Sequence, residues 1–424
     1  MRSFITLPLV VALWMGFSRV ALGALSSEDV PKLIPPSQDP WYSAPAGFDS
    51  YPPGAILRVR QAPSNVSSLL NNTSGAYQIL YRSTDTRYRP SWAVTTIFFP
   101  TKTSRTDRGT RVLVSYQIPY NTINVDESPS YGLSTLYGED YMANVRKGLS
   151  RGWAMSVPDF EGPLASFTAG PQAGHAVLDS IRAILSFNKF EGPGEIRYAL
   201  WGYSGGALAS NSAAELQASY APDLDFAGIA IGGVPSNFTQ ICYNVTGSPA
   251  AAIVPQALLG VTSQYPEARD YLVSKLYKEG PYNATVFLAA QNMTNNENAL
   301  TFAGQNIFDY FTNGEGIFGA PEMVRVLGNN WHMGYHGIPQ MPVFAYKAIA
   351  DELTSITYTD DHIDRLCRVG ANVLYQRNTV GMHEAEYFAV SPKALEWLGQ
   401  VLDGIQPEPT VGCKIENVTV TVSA

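Results

Sequence analysis

One serine in this chain sits where its hydroxyl could do chemistry. Ser204 lies in LWGYSGGALAS, residues 200–210, and Gly202-Tyr203-Ser204-Gly205-Gly206 fits the pattern G-x-S-x-G. The run IRYALW before it reads as a strand, and ALASNSAAEL after it reads as a helix. A serine on so tight a turn projects its hydroxyl above the sheet. Side chains at the flanking positions would strike the strand and the helix, so glycine is needed there. The N–H of Gly205 points into the same space and is the expected first donor to an oxyanion. A serine hydroxyl is a poor nucleophile at neutral pH, so a base must be found elsewhere in the chain.

Five histidines are available: His175, His332, His336, His362 and His383. A serine at a strand-to-helix turn goes with the chain order Ser, acid, His. His175 precedes the serine and reads as a packed or surface residue of a helix. His332 and His336 are four apart, which raises a metal pair. Gly334, Gly337 and Pro339 argue against a helix there, and no glutamate stands between them as in H-E-x-x-H, so no metal is expected. His362, in TDDHIDR, reads as a solvated side chain on a charged helix face. His383, in NTVGMHEAE, falls on a loop past a strand and is the expected base. The acid should follow the preceding strand. MPVFAYKAIADE ends in Asp351-Glu352, and Asp351 is the expected orienting carboxylate with Glu352 as its rival. Asp360 and Asp361 read as helix-start residues, favoured there by the helix dipole.

These side chains need a frame. Strand patterns at 111–118, 152–157, 196–201, 226–231, 341–349 and 372–376 alternate with helix patterns at 173–190, 206–219, 360–369 and 392–402. Such alternation implies an α/β architecture, a parallel sheet with helices on both faces. It stops between 236 and 340, and an insertion of roughly 100 residues with short helical patterns reads as a cap rather than a loop. Residues 24–60, rich in Pro, Ser and Asp, read as an extended arm. The expected organisation is a leader over 1–23, a core over 24–235 and 341–424, and a lid over 236–340.

Of the 424 residues 45% are hydrophobic and 15% charged, with a net charge of -8. That composition supports a large packed core and excludes a disordered chain. No basic block offers a footprint for nucleic acid, and contact with lipid would have to be apolar. Arg2, the apolar segment 4–17 and Ala21-Leu22-Gly23 form a secretory leader that ends before Ala24. Eight N-x-S/T sites, at Asn65, Asn71, Asn72, Asn237, Asn244, Asn283, Asn292 and Asn417, suit an extracellular glycoprotein. Three cysteines leave one unpaired if a disulfide forms; Cys367 and Cys413 are the nearer pair, and Cys242 stands apart.

The pieces PPSQDPWYSAPAGFDSYPPGAILRVR, ALWGYSGGALAS, AIADELTS and GMHEAEYF together resemble the fungal secretory lipase family, over about Pro35 to Cys413. The resemblance implies an α/β-hydrolase core with a helical lid inserted before the acid. It implies Ser204, Asp351 and His383 as a triad, and a disulfide between Cys367 and Cys413. In the family the loop SYQIPYNTINVDESPSY carries an acid at the position matching Asn121, where the second oxyanion donor is expected from the backbone or from the amide. The family often has a cysteine where this chain has Glu127, so Cys242 is expected to be a free thiol. The expected activity is ester hydrolysis through an acyl-enzyme, without metal or cofactor, by a secreted monomer. A lipase on long-chain acylglycerols at a lipid–water interface comes first. An esterase that removes a short acyl group, such as acetyl, from a small metabolite in the manner of trichothecene deacetylases is its rival. A catalytically silent binding glycoprotein and a peptidase are more distant readings.

Overall fold

The computed structural model describes residues 33–421 apart from 64–69, 71, 104–109, 136–138, 188 and 191–193. The leader and the sites Asn65 and Asn71 lie outside the described residues. Among the described residues ten strands form one sheet: β1 (Ile56–Gln61), β2 (Thr73–Thr84), β3 (Pro90–Pro100), β4 (Arg111–Gln117), β5 (Ala154–Pro158), β6 (Ile196–Tyr203), β7 (Gly228–Gly232), β8 (Val343–Ala348), β9 (Val373–Asn378) and β10 (Cys413–Val418). Their order is β1-β2-β3-β5-β4-β6-β7-β8-β9-β10. The pairings from β5 through β10 are parallel, and β1, β2 and β3 join as an antiparallel edge. Every residue of β4, β5, β7 and β8 is buried. Strands covered on both faces read as continuous apolar runs rather than alternating ones, which is why they were visible in the sequence.

The sheet departs from expectation at both edges. The arm ends in β1, and β2 and β3 complete a meander that was not anticipated. Ahead of it, two single turns at Pro40–Tyr42 and Phe48–Ser50 lie along the core. Ser37 there donates from its N–H and its hydroxyl to the Asp126 carboxylate, each at 2.7 Å. At the other edge β10 adds in parallel to β9. Cys413 opens β10 and is joined by a disulfide to Cys367, in the helix Ile356–Arg368; Cys242 is free and buried. Closing a loop of 46 residues should contribute about 2–4 kcal/mol by restricting the unfolded chain. Cys413→Ser is therefore expected to lower the urea midpoint of unfolding, and an unchanged midpoint would deny the bridge that role.

Helices Gly170–Ser186, Gly205–Tyr220 and His383–Leu402 pack on the sheet. The last differs from expectation: it starts nine residues earlier and carries Pro392 inside it. Pro392 is exposed, so the carbonyl freed by the missing N–H can turn to water. Between β7 and β8 the chain forms six α-helices, from Phe238–Val245 to Pro321–Trp331, and three short 3-10 turns, around buried Phe287, Phe302, Tyr310 and Trp331. No described helix is long and apolar enough to cross a membrane.

Candidate active site

β6 is an inner strand, between β4 and β7, and it delivers Ser204 one residue past its end. The serine takes φ 53°, a left-handed conformation that is strained for any residue with a side chain. Its N–H is held by the Gly232 carbonyl at 2.9 Å. The turn closes so tightly that a Cβ on Gly202 would stand 2.2 Å from the Gly206 carbonyl oxygen. A Cβ on Gly206 would stand 1.9 Å from that of Gln117. Both glycines are therefore steric requirements. The next residue, Gly205, opens the helix Gly205–Tyr220, and the N–H of a first helical residue has no acceptor within its helix.

Two more strands deliver the partners. Asp351 lies three residues past β8, and His383 lies five residues past β9. Ser204 Oγ is 2.9 Å from His383 Nε2, and His383 Nδ1 is 2.8 Å from Asp351 Oδ2. Asp351 and His383 are buried while Ser204 is only half-buried. Burial pushes the Asp351 carboxyl up; the charges and hydrogen bonds of His383 and Lys347 overcome it and hold the group well below the usual carboxylate range. An ionised carboxylate only accepts, so Nδ1 carries the ring proton and Nε2 accepts from the serine hydroxyl.

His383 is not on a loop. It is the first residue of the helix His383–Leu402, fixed by its own backbone. Its N–H donates to Glu352 Oε2 at 2.8 Å, and its carbonyl accepts from Tyr203 Oη at 2.6 Å. Glu352, the rival acid, thus holds the main chain of the histidine rather than its ring. Asp360 lies within the helix Ile356–Arg368 and pairs with Arg377 of β9 at 3.3 Å.

The other histidines have structural settings. His175 is buried between the rings of Tyr88 and Tyr220. His336 Nε2 meets the Asn329 carbonyl at 2.9 Å, and its N–H and that of Gly334 donate to the buried Glu215 carboxylate. His362 is not solvated as its charged neighbours suggested. It is buried, with Nε2 3.2 Å from Asn211 Oδ1, because Thr359, His362, Ile363 and Leu366 form the inward stripe of their helix. No group of three His, Cys, Asp or Glu side chains is placed to hold a metal among the described residues.

Asn121 follows β4 with φ 45°, and its amide oxygen packs on Gly205: a Cβ there would lie 1.9 Å from Oδ1. That oxygen has no hydrogen-bond partner. The loop is held by the insertion. Gln256 Nε2 donates to the Asn121 carbonyl at 3.2 Å and to Asn295 Oδ1 at 2.6 Å, and Asn295 Nδ2 donates to the Tyr120 carbonyl at 2.7 Å. Buried Glu127, in the cysteine position of the resemblance, accepts from the Asn295 N–H at 2.8 Å and from Thr122 Oγ1 at 3.1 Å. Burial pushes its carboxyl up, and those hydrogen bonds oppose the shift. None of Gln256, Asn295 or Lys347 was singled out in the sequence. Lys347 sits inside the apolar run VFAYKAIA, where a lysine gives no sign of its partner.

A family model described as "Secretory lipase" matches residues 130–410. The chain is 45% identical over 421 residues to trichothecene C-3 esterase from Fusarium sporotrichioides, covering 96% of this chain and 92% of that protein. It is 33% identical over 406 residues to lipase 1 from Candida albicans, covering 89% and 83%. Among solved structures, Candida antarctica lipase A in its closed state matches with a TM-score of 0.80 over 92% of this chain and 90% of that one; at 23% identity this likeness speaks to the fold. With an α/β-hydrolase sheet and relatives along nearly its whole length, the chain belongs to the secretory lipase family and is a carboxylic-ester hydrolase.

Proposed function

We propose that the chain is a secreted serine esterase that removes a short acyl group from an oxygen of a small polycyclic metabolite of the trichothecene type. The observation that carries the chemistry is the continuous line Ser204 Oγ, His383 Nε2, His383 Nδ1, Asp351 Oδ2, with contacts of 2.9 and 2.8 Å. Ser204 attacks the ester carbonyl as its proton passes to His383 Nε2. Asp351 holds the ring in the required tautomer and balances the imidazolium. The Gly205 N–H and a donor of Asn121 stabilise the oxyanion. The main-chain N–H of Asn121 favours itself for that role, since the amide oxygen is turned toward Gly205. His383 then protonates the departing alcohol, and water, activated by the same ring, frees the acid from Ser204.

The substrate class draws support from the higher identity to the named trichothecene esterase than to the Candida lipase. A second reading, an acylglycerol lipase, is favoured by the family description and by that lipase's similarity along most of both chains. In either case a lid over 236–340 is supported by Gln256, which bonds the Asn121 carbonyl beside the serine. Secretion is supported by the leader pattern and by sites at Asn244, Asn292 and Asn417, whose side chains are exposed for glycans.

A series of p-nitrophenyl esters together with a C-3 acetylated trichothecene separates the two readings. The esterase should be fastest on acetate, release acetate from the trichothecene, and leave emulsified triolein untouched. A rate that climbs with acyl length and jumps once the substrate exceeds its solubility limit would replace this reading with the lipase.

A further inference from the structure

Lys347 is the penultimate residue of β8, and its side chain is fully buried. Burying an ammonium is costly unless it is paired and hydrogen-bonded. Here Nζ donates to Asp351 Oδ2 at 2.9 Å and to Thr354 Oγ1, and Thr354 Oγ1 donates in turn to Asp351 Oδ2 at 3.0 Å. The same oxygen accepts from His383 Nδ1. The other carboxylate oxygen accepts from the N–H groups of Leu353 and Thr354, at 3.0 and 2.8 Å. Asp351 therefore has every lone pair engaged, and its charge is shared between an imidazole and a buried ammonium, whose pKa burial pulls down while Asp351, Glu386 and Asp360 oppose the shift.

We propose that Lys347 is a positioning residue that fixes the Asp351 carboxylate and sets the charge balance of the Asp351–His383 pair. The inference rests on the triad reading above. With Lys347 and Asp351 already neutralising each other, a proton on the resting imidazole adds an uncompensated buried charge. During turnover the imidazolium forms together with an oxyanion, and the sum stays neutral. The cation thus disfavours imidazolium before the reaction more than during it.

Other charged and titratable groups face this cluster. Glu386 lies one turn after His383: one of its oxygens accepts from Asn378 Nδ2 at 2.6 Å, burial pushes its carboxyl up to about 7, and its charge acts on both Asp351 and Lys347. Glu352 is engaged by the His383 N–H, Asp360 pairs with Arg377, and the Tyr203 hydroxyl is bonded to the His383 carbonyl.

The test is the pH profile of kcat/KM for Lys347→Met and Lys347→Gln with p-nitrophenyl acetate. Removing the cation should move the acid limb up by about one pH unit. On that limb kcat/KM should then fall about tenfold below wild type, while KM on the plateau stays within about threefold. The glutamine, one bond shorter, offers an uncharged N–H donor on the Asp351 side, so it carries the test where the methionine does not fold. Glu386→Gln removes an anion instead of a cation and should move the limb down, not up. An unmoved limb in a folded lysine variant, or a limb that rises in Glu386→Gln as it does without the cation, would overturn the proposal. Failure of the triad reading would look different, as activity surviving the loss of Ser204.

Discussion

Ser204→Ala is expected to lower kcat for p-nitrophenyl acetate by at least about 10^4-fold while the protein stays folded. Among the described residues the serine hydroxyl has one hydrogen-bond partner, His383 Nε2. Its main chain is held independently, by the Gly232 carbonyl and by the glycine contacts on either side. Alanine keeps the Cβ and the backbone strain that the turn already tolerates and removes only the hydroxyl proposed as nucleophile. What remains is binding and oxyanion stabilisation, which alone leave a small residual rate over water. Circular dichroism and the thermal midpoint should match wild type. Turnover within about tenfold of wild type in that folded variant would end the acyl-enzyme mechanism.

The next largest effect is expected from Asp351→Asn, about 10^4-fold in kcat. The carboxylate accepts at both oxygens and donates nothing. Oδ2 faces Lys347 Nζ, His383 Nδ1 and Thr354 Oγ1, while Oδ1 faces two backbone N–H groups. An asparagine must point its NH2 at one of these two sets of donors. Toward the ring, it drives the imidazole proton onto Nε2, which can then no longer accept from Ser204. Turned the other way, it strikes the N–H groups of Leu353 and Thr354 and loosens the loop. Both orientations cost catalysis, whereas Glu352→Gln keeps an acceptor for the His383 N–H and should change kcat by no more than about threefold. Comparable losses in the two variants would mean that the wrong carboxylate has been assigned to the ring.

Much of this arrangement was legible in the sequence because its causes are local. Glycines at 202, 205 and 206 between an apolar run and an alanine-rich helix follow from a turn with no room for side chains. The inner parallel strands announced themselves by having no polar face. What could not be read arises from distant contacts. His383 looked like a loop residue because Gly381 breaks the pattern before it and Pro392 suggested a later start; the helix begins early because its first N–H is met by Glu352, 31 residues away. β1, β2 and β3 carry polar residues amid apolar ones, and their pairing appears only when the meander closes against β5. The burial of His362 was recoverable, since 359, 362, 363 and 366 share one helical face, but its acidic neighbours masked the spacing.

The ties from Gln256 and Asn295 to Tyr120, Asn121 and Glu127, in the segment after β4, bear on how this enzyme could be recombined with its relatives. A chimera that took residues 236–340 from another family member would sever main-chain anchors of residues 120–127 even though those residues themselves were left native. Transplanting substrate preference therefore requires both stretches to travel together, as one inherited unit broken in two by the linear order of the chain.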